Sequence, residues 1–539
     1  MRDHRSPRSA GRRVPAPETA ALETAAPPRR RHRRATRPGR RRSPALRALL
    51  AALLLLVAGI VVFTRSPETV VLKFYDTAGN GTELTGQTVR QAMNGSDGSE
   101  SDALLDPATL EVVEEWPLYE GGTPLRWRFD VPGRPVAFAV NWPTSRGYST
   151  VIVDNGGTGF TGQGAVVFNY QAALDAKRRL DAALAVRGDY RRSEAFERAY
   201  ATVAAELDRA RAAATDAGRG KYGQRALDAV HTAGDLMLGE YGPASAAARG
   251  AGPWMGLTVA DIRTPVSWPG LAKWLTGANG WVRIIFEPDK DAGNVEHYRA
   301  AVQAAHAAGL KVLGQPVDSD YAHELSRAAY LARVKAYVDA YPDIEAWEVG
   351  NEVNGCWVDG DCQDGKAVEE DDRIANKVAD AAAYVRATRP QAQTVVTLYW
   401  QLGTDAAEWS VFTWARENLP AEVRGDIDVV ALSVYAEDAP MGLAFDQVMN
   451  TLHAEFPDQR IALGELGYWS EDTTKAFWAF DPGDTAAARR ALAGHYYAAA
   501  LGYEWSLGGG FWWYFIEEVP GDAGLQTAIR DVTGRLGGL

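Results

Sequence analysis

The sequence predicts an α/β protein: a C-terminal (β/α)₈ barrel preceded by an all-β sandwich, a helical spacer and an N-terminal transmembrane helix. Three patterns carry that prediction. From residue 251 to the end, eight short apolar runs alternate with Ala-rich helical stretches. Before them, β-rich runs punctuated by Gly, Pro, Asn and Asp give way to a helical block. At the start, one long apolar run from Ala48 to Thr64 follows an arginine-rich tail.

Residues 1–44 read as a disordered cytoplasmic tail, because Arg29 to Arg42 has no apolar periodicity. Up to Arg47 there are 15 Arg, no Lys and 3 acidic residues, a local charge of +12. The run ALLAALLLLVAGIVVFT, closed by Arg65, extends to a span over 45–64 if Arg47 snorkels. The Arg excess sets the orientation of this signal anchor. The bulk lies outside the cytoplasm, and the lipid bilayer is a partner through one helix of the cell membrane. A cleaved, secreted form is the rival reading, although no small-x-small pair follows the Leu run cleanly. Beyond residue 47 stand 42 basic and 66 acidic residues, a charge of −24. Nucleic acid is thereby disfavoured as a partner, since phosphate binding needs a basic footprint.

Residues 65–168 hold VVLKFYD, LRWRFDV, VAFAVNW, STVIVDN and AVVFNY, the pattern of an antiparallel sandwich. Trp116, Trp127 and Trp142 either present faces to carbohydrate or fill the sandwich core. Residues 169–250 are rich in Ala, Arg, Glu and Leu, with apolar residues at three- and four-residue spacing. They predict two or three amphipathic helices forming a spacer. Residues 251–539 then supply strand candidates at 255–262, 281–288, 310–316, 344–352, 394–400, 428–435, 460–467 and 509–516. A doubly wound open sheet would carry a Gly-rich phosphate turn after its first strand, and none is present.

Active sites of such barrels form at the C-terminal strand ends. The fourth run ends in Asn351–Glu352 and the seventh carries Glu465. The second carries Arg283, the sixth ends in Tyr435, and the eighth holds Trp512 and Trp513. Strands four and seven stand three positions apart in a ring of eight, so their carboxylates can face each other over the mouth. Two carboxylates across a cleft are the equipment of glycoside hydrolysis. Glu352 has to be protonated through burial or its neighbour, and Glu465 has to stay charged beside Arg283 and the Tyr435 phenol. Glu348, four residues before Glu352 and so of the same strand parity, is either a buried partner of Arg283 or solvated. Asp261, Gln315 and Trp400 also end candidate strands. Of 17 Trp, 14 lie between Trp254 and Trp513, and Trp357 and Trp469 flank the carboxylates as candidate sugar platforms. Cys356 and Cys362 are expected to form a disulfide clamping one loop. A metal site there is the alternative, but no His lies nearby and the eight His form no ligand-spaced cluster, so neither metal nor cofactor is expected.

WEVGNEVN ending a fourth strand and ALGELGYW ending a seventh resemble the signatures of clan A glycoside hydrolases, over residues 253–517. The resemblance implies a glycosidase that hydrolyses O-glycosyl bonds with retention, its carboxyl groups about 5–5.5 Å apart. It implies Glu352 as general acid/base, Glu465 as nucleophile and Asn351 holding the sugar 2-hydroxyl. Tyr435 would hydrogen-bond the nucleophile, Arg283 would keep it ionised, and Trp513, ahead of Trp512, would be the floor beneath the sugar. Val-Gly-Asn-Glu-Val replaces the Asn-Glu-Pro of many members, so no single family is assigned. The clan implies β-linked hexosides or xylosides, sometimes α-L-arabinofuranosides. Long loops after strands four and six lean towards endo action on a polysaccharide or oligosaccharide. The anchor leans towards a cell-envelope or exported glycan. The competing reading is a non-catalytic glycan-binding scaffold at the cell surface. A barrel acting on phosphorylated metabolites lacks its Gly-rich loop.

Overall fold

A computed structural model describes residues 68–93, 102–162, 164–250, 252–259, 266–275, 279–287, 293–362, 367–402, 406–436, 439–468, 484–512 and 519–536. The expected tail (1–44) and span (45–64) lie outside the described residues. Among those described, no helix is long and apolar enough to cross a membrane. Residues Thr69–Leu539 form one compact unit.

Nine short strands come first: β1 (Glu68–Tyr75), β2 (Glu83–Leu84), β3 (Asp102–Leu105), β4 (Val112–Glu115), β5 (Tyr119–Gly121), β6 (Arg126–Val131), β7 (Ala137–Thr144), β8 (Gly147–Val153) and β9 (Ala165–Val167). They make two sheets, β2-β1-β6-β5 with β9 parallel to β1, and β4-β3-β7-β8. Alternation in β1 and β6 sends Val70, Leu72 and Phe74, and Trp127, Phe129 and Val131, into the interior. Phe129 of the first sheet stacks on Phe138 of the second at 5.5 Å, and Phe74 meets Trp142 at 5.4 Å. Trp127 and Trp142 are therefore core residues, whereas Trp116 is 43% exposed. Strands β7 and β8 are buried nearly throughout, because the rest of the protein covers their other face.

Three helices follow, at Phe168–Val186, Glu194–Ala212 and Asp216–Arg249. Ser193 and Thr215 cap the second and third by accepting N–H bonds from Phe196 and Gly218. The third runs 34 residues and packs on both neighbours. Midway along it Ser145 and Arg146, in the β7–β8 turn, bond to Asp228 and Asp235. Two turns further on, Gly242 lies so close to a barrel helix that a Cβ there would stand 1.9 Å from the Ala498 carbonyl oxygen.

The last eight strands close into a parallel barrel: β10 (Trp254–Val259), β11 (Asn279–Ile285), β12 (Lys311–Gln315), β13 (Ala346–Gly350), β14 (Gln393–Tyr399), β15 (Val429–Tyr435), β16 (Arg460–Gly467) and β17 (Ser506–Trp512). Each is followed by a helix, from Trp268–Trp274 after β10 to Ala523–Leu536 after β17. Period-two alternation divides every strand between two apolar clusters. Trp254, Trp281, Leu313, Ala346, Val395, Val429, Ala431, Ala462 and Phe511 fill the barrel interior. Their neighbours, such as Val282, Trp347, Val396, Leu432, Leu463 and Trp512, pack under the helices. Towards the C-terminal ends the inward positions turn polar: Thr258, Arg283, Gln315, Glu348, Thr397, Ser433 and Glu465, all buried. That upper layer is the floor of the site.

Candidate active site

Arg283 follows Trp281 at inward parity on β11 and is fully buried. Its Nε donates to Glu348 Oε2 at 2.7 Å, and its Nη2 lies 3.0 Å from Glu465 Oε2. Burial opposes the guanidinium charge, but the Glu348 and Glu465 carboxylates outweigh it and raise the Arg283 pKa. Glu348 also accepts from the Thr397 hydroxyl on β14 at 2.6 Å. One of the two readings left open for Glu348 is thus decided: it is the buried partner of Arg283.

The expectation that Glu348 and Glu352 share strand parity fails, for a local reason. Glu348 pairs with Val395 and Gly350 with Val396, so Val349 is an extra residue and β13 bulges. Gly350 consequently faces the outer helices; a Cβ there would lie 2.6 Å from Val353 and from Val378. Asn351 turns inward instead, and its Nδ2 donates to Glu465 Oε2 at 3.2 Å while its Oδ1 accepts from the Ser319 amide. Glu352 then leaves the strand altogether at φ +47°, in the left-handed region that costs a non-glycine residue about 1–3 kcal/mol. Its carboxylate accepts from Ser433 Oγ at 2.5 Å and from Ser319 Oγ at 3.3 Å.

A second bulge aims Glu465. Leu463 pairs with Leu432, and Glu465 with Ser433, leaving Gly464 as the extra residue. A regular ladder counted from inward Ala462 would have sent Glu465 towards the helices. Glycine is required at 464 because a Cβ would sit 2.9–3.0 Å from Thr397 and Ala431. Once turned inward, Glu465 Oε1 accepts from the Tyr435 phenol at 2.5 Å. Ser433 on β15, whose hydroxyl donates to Glu352, is the ladder partner of Glu465 on the neighbouring β16, so one inward position links the two carboxylates across the barrel mouth. Both are almost enclosed, Glu352 at 1% and Glu465 at 4% exposure.

The structure therefore brings together Arg283, Asn351, Glu352, Tyr435 and Glu465. Trp357, on the loop after Glu352, is half-buried and edge-on to Tyr399 at 5.3 Å. Trp512 is 1% exposed in the layer between barrel and helices, so it offers no open face for a sugar. Trp400 is buried in that same layer. Asp261, Trp469 and Trp513 lie outside the described residues. Cys356 and Cys362 form the expected disulfide, closing the loop after Glu352. Among the described residues, no group of His, Cys, Asp and Glu could hold a metal ion.

Sequence reasoning missed Ser433, Ser319, Thr397 and Asp318. Ser433 and Thr397 were findable, each two residues inward-parity beyond a core position (Ala431, Val395). Asp318 and Ser319 sit on the loop after β12, where no periodicity points. Asp318 accepts from Gln315 Nε2 and from the Asp320 amide. Burial first, then the charges of Asp320 and Glu465, push its carboxyl up to about 7, against that amide bond and Arg283. A carboxyl raised above its ordinary value keeps a proton in the folded protein that the unfolded chain has released. Folding stability contributed here is thus lost as pH rises from about 4 to about 7. Asp318→Asn is expected to melt higher than the parent at pH 8 and to lose that advantage at pH 4; equal melting temperatures at pH 8 would refute it.

The opposite end of the barrel also carries charge, but there Arg386 pairs with Asp428 at 2.7 Å and Arg424 with Glu455 at 2.8 Å. These mutually paired groups read as bracing.

No protein-family model matches the chain, and no curated protein matches it. Among solved structures it is similar to a fungal β-1,4-galactanase, at 16% identity over 51% of this chain and 99% of that one, with a TM-score of 0.35. It is also similar to xylanase 10B from Thermotoga maritima, at 14% identity over 54% and 97%, TM-score 0.36. A glycoside hydrolase family 5 enzyme from Prevotella bryantii matches at 12% identity over 54% and 98%, TM-score 0.34. Likeness at this level carries no information about chemistry or substrate.

Proposed function

We propose that the chain is a retaining glycoside hydrolase, with Glu465 as nucleophile and Glu352 as general acid/base. The observation that carries this reading is the unequal setting of two carboxylates at the C-terminal ends of β13 and β16. Glu465 receives a guanidinium, a phenol and an amide; Glu352 receives two hydroxyls. Those donors and the cation orient the Glu465 oxygens towards the position of an anomeric carbon, where the carboxylate would attack. Glu352, in a nearly closed seat, donates its proton to the departing glycosidic oxygen. The glycosyl-enzyme ester on Glu465 is then opened by water, whose proton returns to Glu352, restoring both groups. Asn351, already bonded to Glu465, is placed to take the hydroxyl next to the reacting carbon.

The substrate proposed is a β-linked polysaccharide cut internally, of the cell envelope or newly exported. The arginine-rich tail and the apolar run at 45–64 support an anchored, extracytoplasmic protein, and the Cys356–Cys362 disulfide suits an oxidising compartment. Incubating the purified protein with a panel of β-glycans is expected to release new reducing ends. NMR of the first-formed anomer should report retained configuration. Binding without cleavage would favour a glycan-holding scaffold, and inverted products would remove the covalent role of Glu465.

A further inference from the structure

The sandwich touches the barrel where the candidate chemistry is, through the one sheet β4-β3-β7-β8. On β8, Thr150 uses both its N–H and its Oγ to donate to the Pro440 carbonyl, at 3.0 and 2.5 Å. The neighbouring Ser149 Oγ accepts from the Leu443 amide at 2.7 Å. Gly442 between these anchors has φ +47°, and a Cβ on it would stand 2.2 Å from Ser149 Oγ, so the loop is moulded onto the strand. This loop follows β15, and its Ala439 amide donates to the Tyr435 carbonyl at 3.0 Å. Tyr435 in turn holds Glu465. At the other edge of the same sheet, β4 lies against residues 407–409. There the Trp409 carbonyl accepts from Asn354, two residues past Glu352, and from Gln401. Arg416 ties the following helix to the Thr109 carbonyl.

Apolar packing alone would have joined sandwich to barrel. Instead, buried hydroxyls are spent on two backbone groups of the loop behind Tyr435, and a buried hydrogen bond fixes geometry in a way that apolar contact does not. We infer that the sandwich is a positioning element of the catalytic centre, in which Ser149 and Thr150 fix residues 439–443 and, through them, the Tyr435 phenol on Glu465. The inference rests on the hydrolase reading for its kinetic consequences, but its structural claim stands apart from it.

The test is the Ser149→Ala/Thr150→Val double variant of the full chain, with Thr150→Ser as the variant that keeps the hydroxyl. In the double variant, kcat on an aryl glycoside is expected to fall about tenfold or more, with KM changed by less than about twofold. Arg283 and Asp318, which also act on Glu465, are untouched by the substitutions. Thr150→Ser should keep parental values, which a purely bulk packing role for Thr150 would not. Independently of any activity, hydrogen exchange at Ala439 and Leu443 should accelerate. Parental exchange at both amides in the double variant would overturn the inference. A parent that cleaves no glycoside would overturn the hydrolase reading instead and leave the exchange measurement to decide the brace.

Discussion

Glu352→Ala is expected to lower turnover of a natural glycan by about 10²–10⁴-fold, with activated aryl glycosides far less affected in the first chemical step. The contrast follows from the role. A sugar alcohol is a poor leaving group and needs a proton as the bond breaks, whereas a nitrophenolate departs unaided. The second step still needs a base to activate water, so with an aryl substrate the glycosyl-enzyme should accumulate and a burst of phenolate should precede slow turnover. Glu352→Gln separates chemistry from shape, since the left-handed backbone at 352 and the contacts to Ser433 and Ser319 place steric demands of their own. Both variants should melt close to the parent. Undiminished turnover of the natural glycan would remove Glu352 from the mechanism.

Arg283→Met is expected to be the most damaging single substitution for folding, at about 3–5 kcal/mol. The residue is fully buried, and its guanidinium is shared between Glu348 and Glu465. Removing it leaves two carboxylates in the barrel interior without their cation. Adding Glu348→Gln should recover much of the loss by deleting one of the stranded charges, a non-additivity that a double-mutant cycle of chemical denaturation would measure. A single variant as stable as the parent at pH 8 would show that this ion triad is not what organises the upper layer.

The strands themselves were legible in the sequence, because a parallel barrel buries both faces of each strand and writes it as a compact apolar run. So was the pair of strand-end carboxylates, which needs only strand order and the rule that barrel chemistry collects at C-terminal ends. What alternation could not give was the aim of those side chains. Strict period two from Ala462 points Glu465 the wrong way, and from Glu348 it extends a strand that in fact ends at Gly350. Both errors come from one-residue bulges, which leave no trace in hydrophobic spacing; the only hint was glycine beside each carboxylate, at 350 and 464. Among the aromatic residues, RWRFDV already put Trp127 on the face of Phe129, so its burial could have been read. The exposure of Trp116 depends on which strands neighbour it, a tertiary fact. Asp318 and Ser319 belong to a loop, where only the closed ring reveals proximity to Glu465.

The close approach of Gly242 to Ala498 sets how this molecule can be dissected. The same helix meets the β7–β8 turn at Asp228 and Asp235 and the outer wall of the barrel at Gly242, so one rigid rod holds both parts. Cloning from residue 251 onward would strip that wall of its cover and bare the apolar surface of the Thr485–Ala499 helix. Trimming to the barrel alone is accordingly expected to yield an aggregating fragment, and the stretch from residue 69 to 539 is the smallest piece worth expressing.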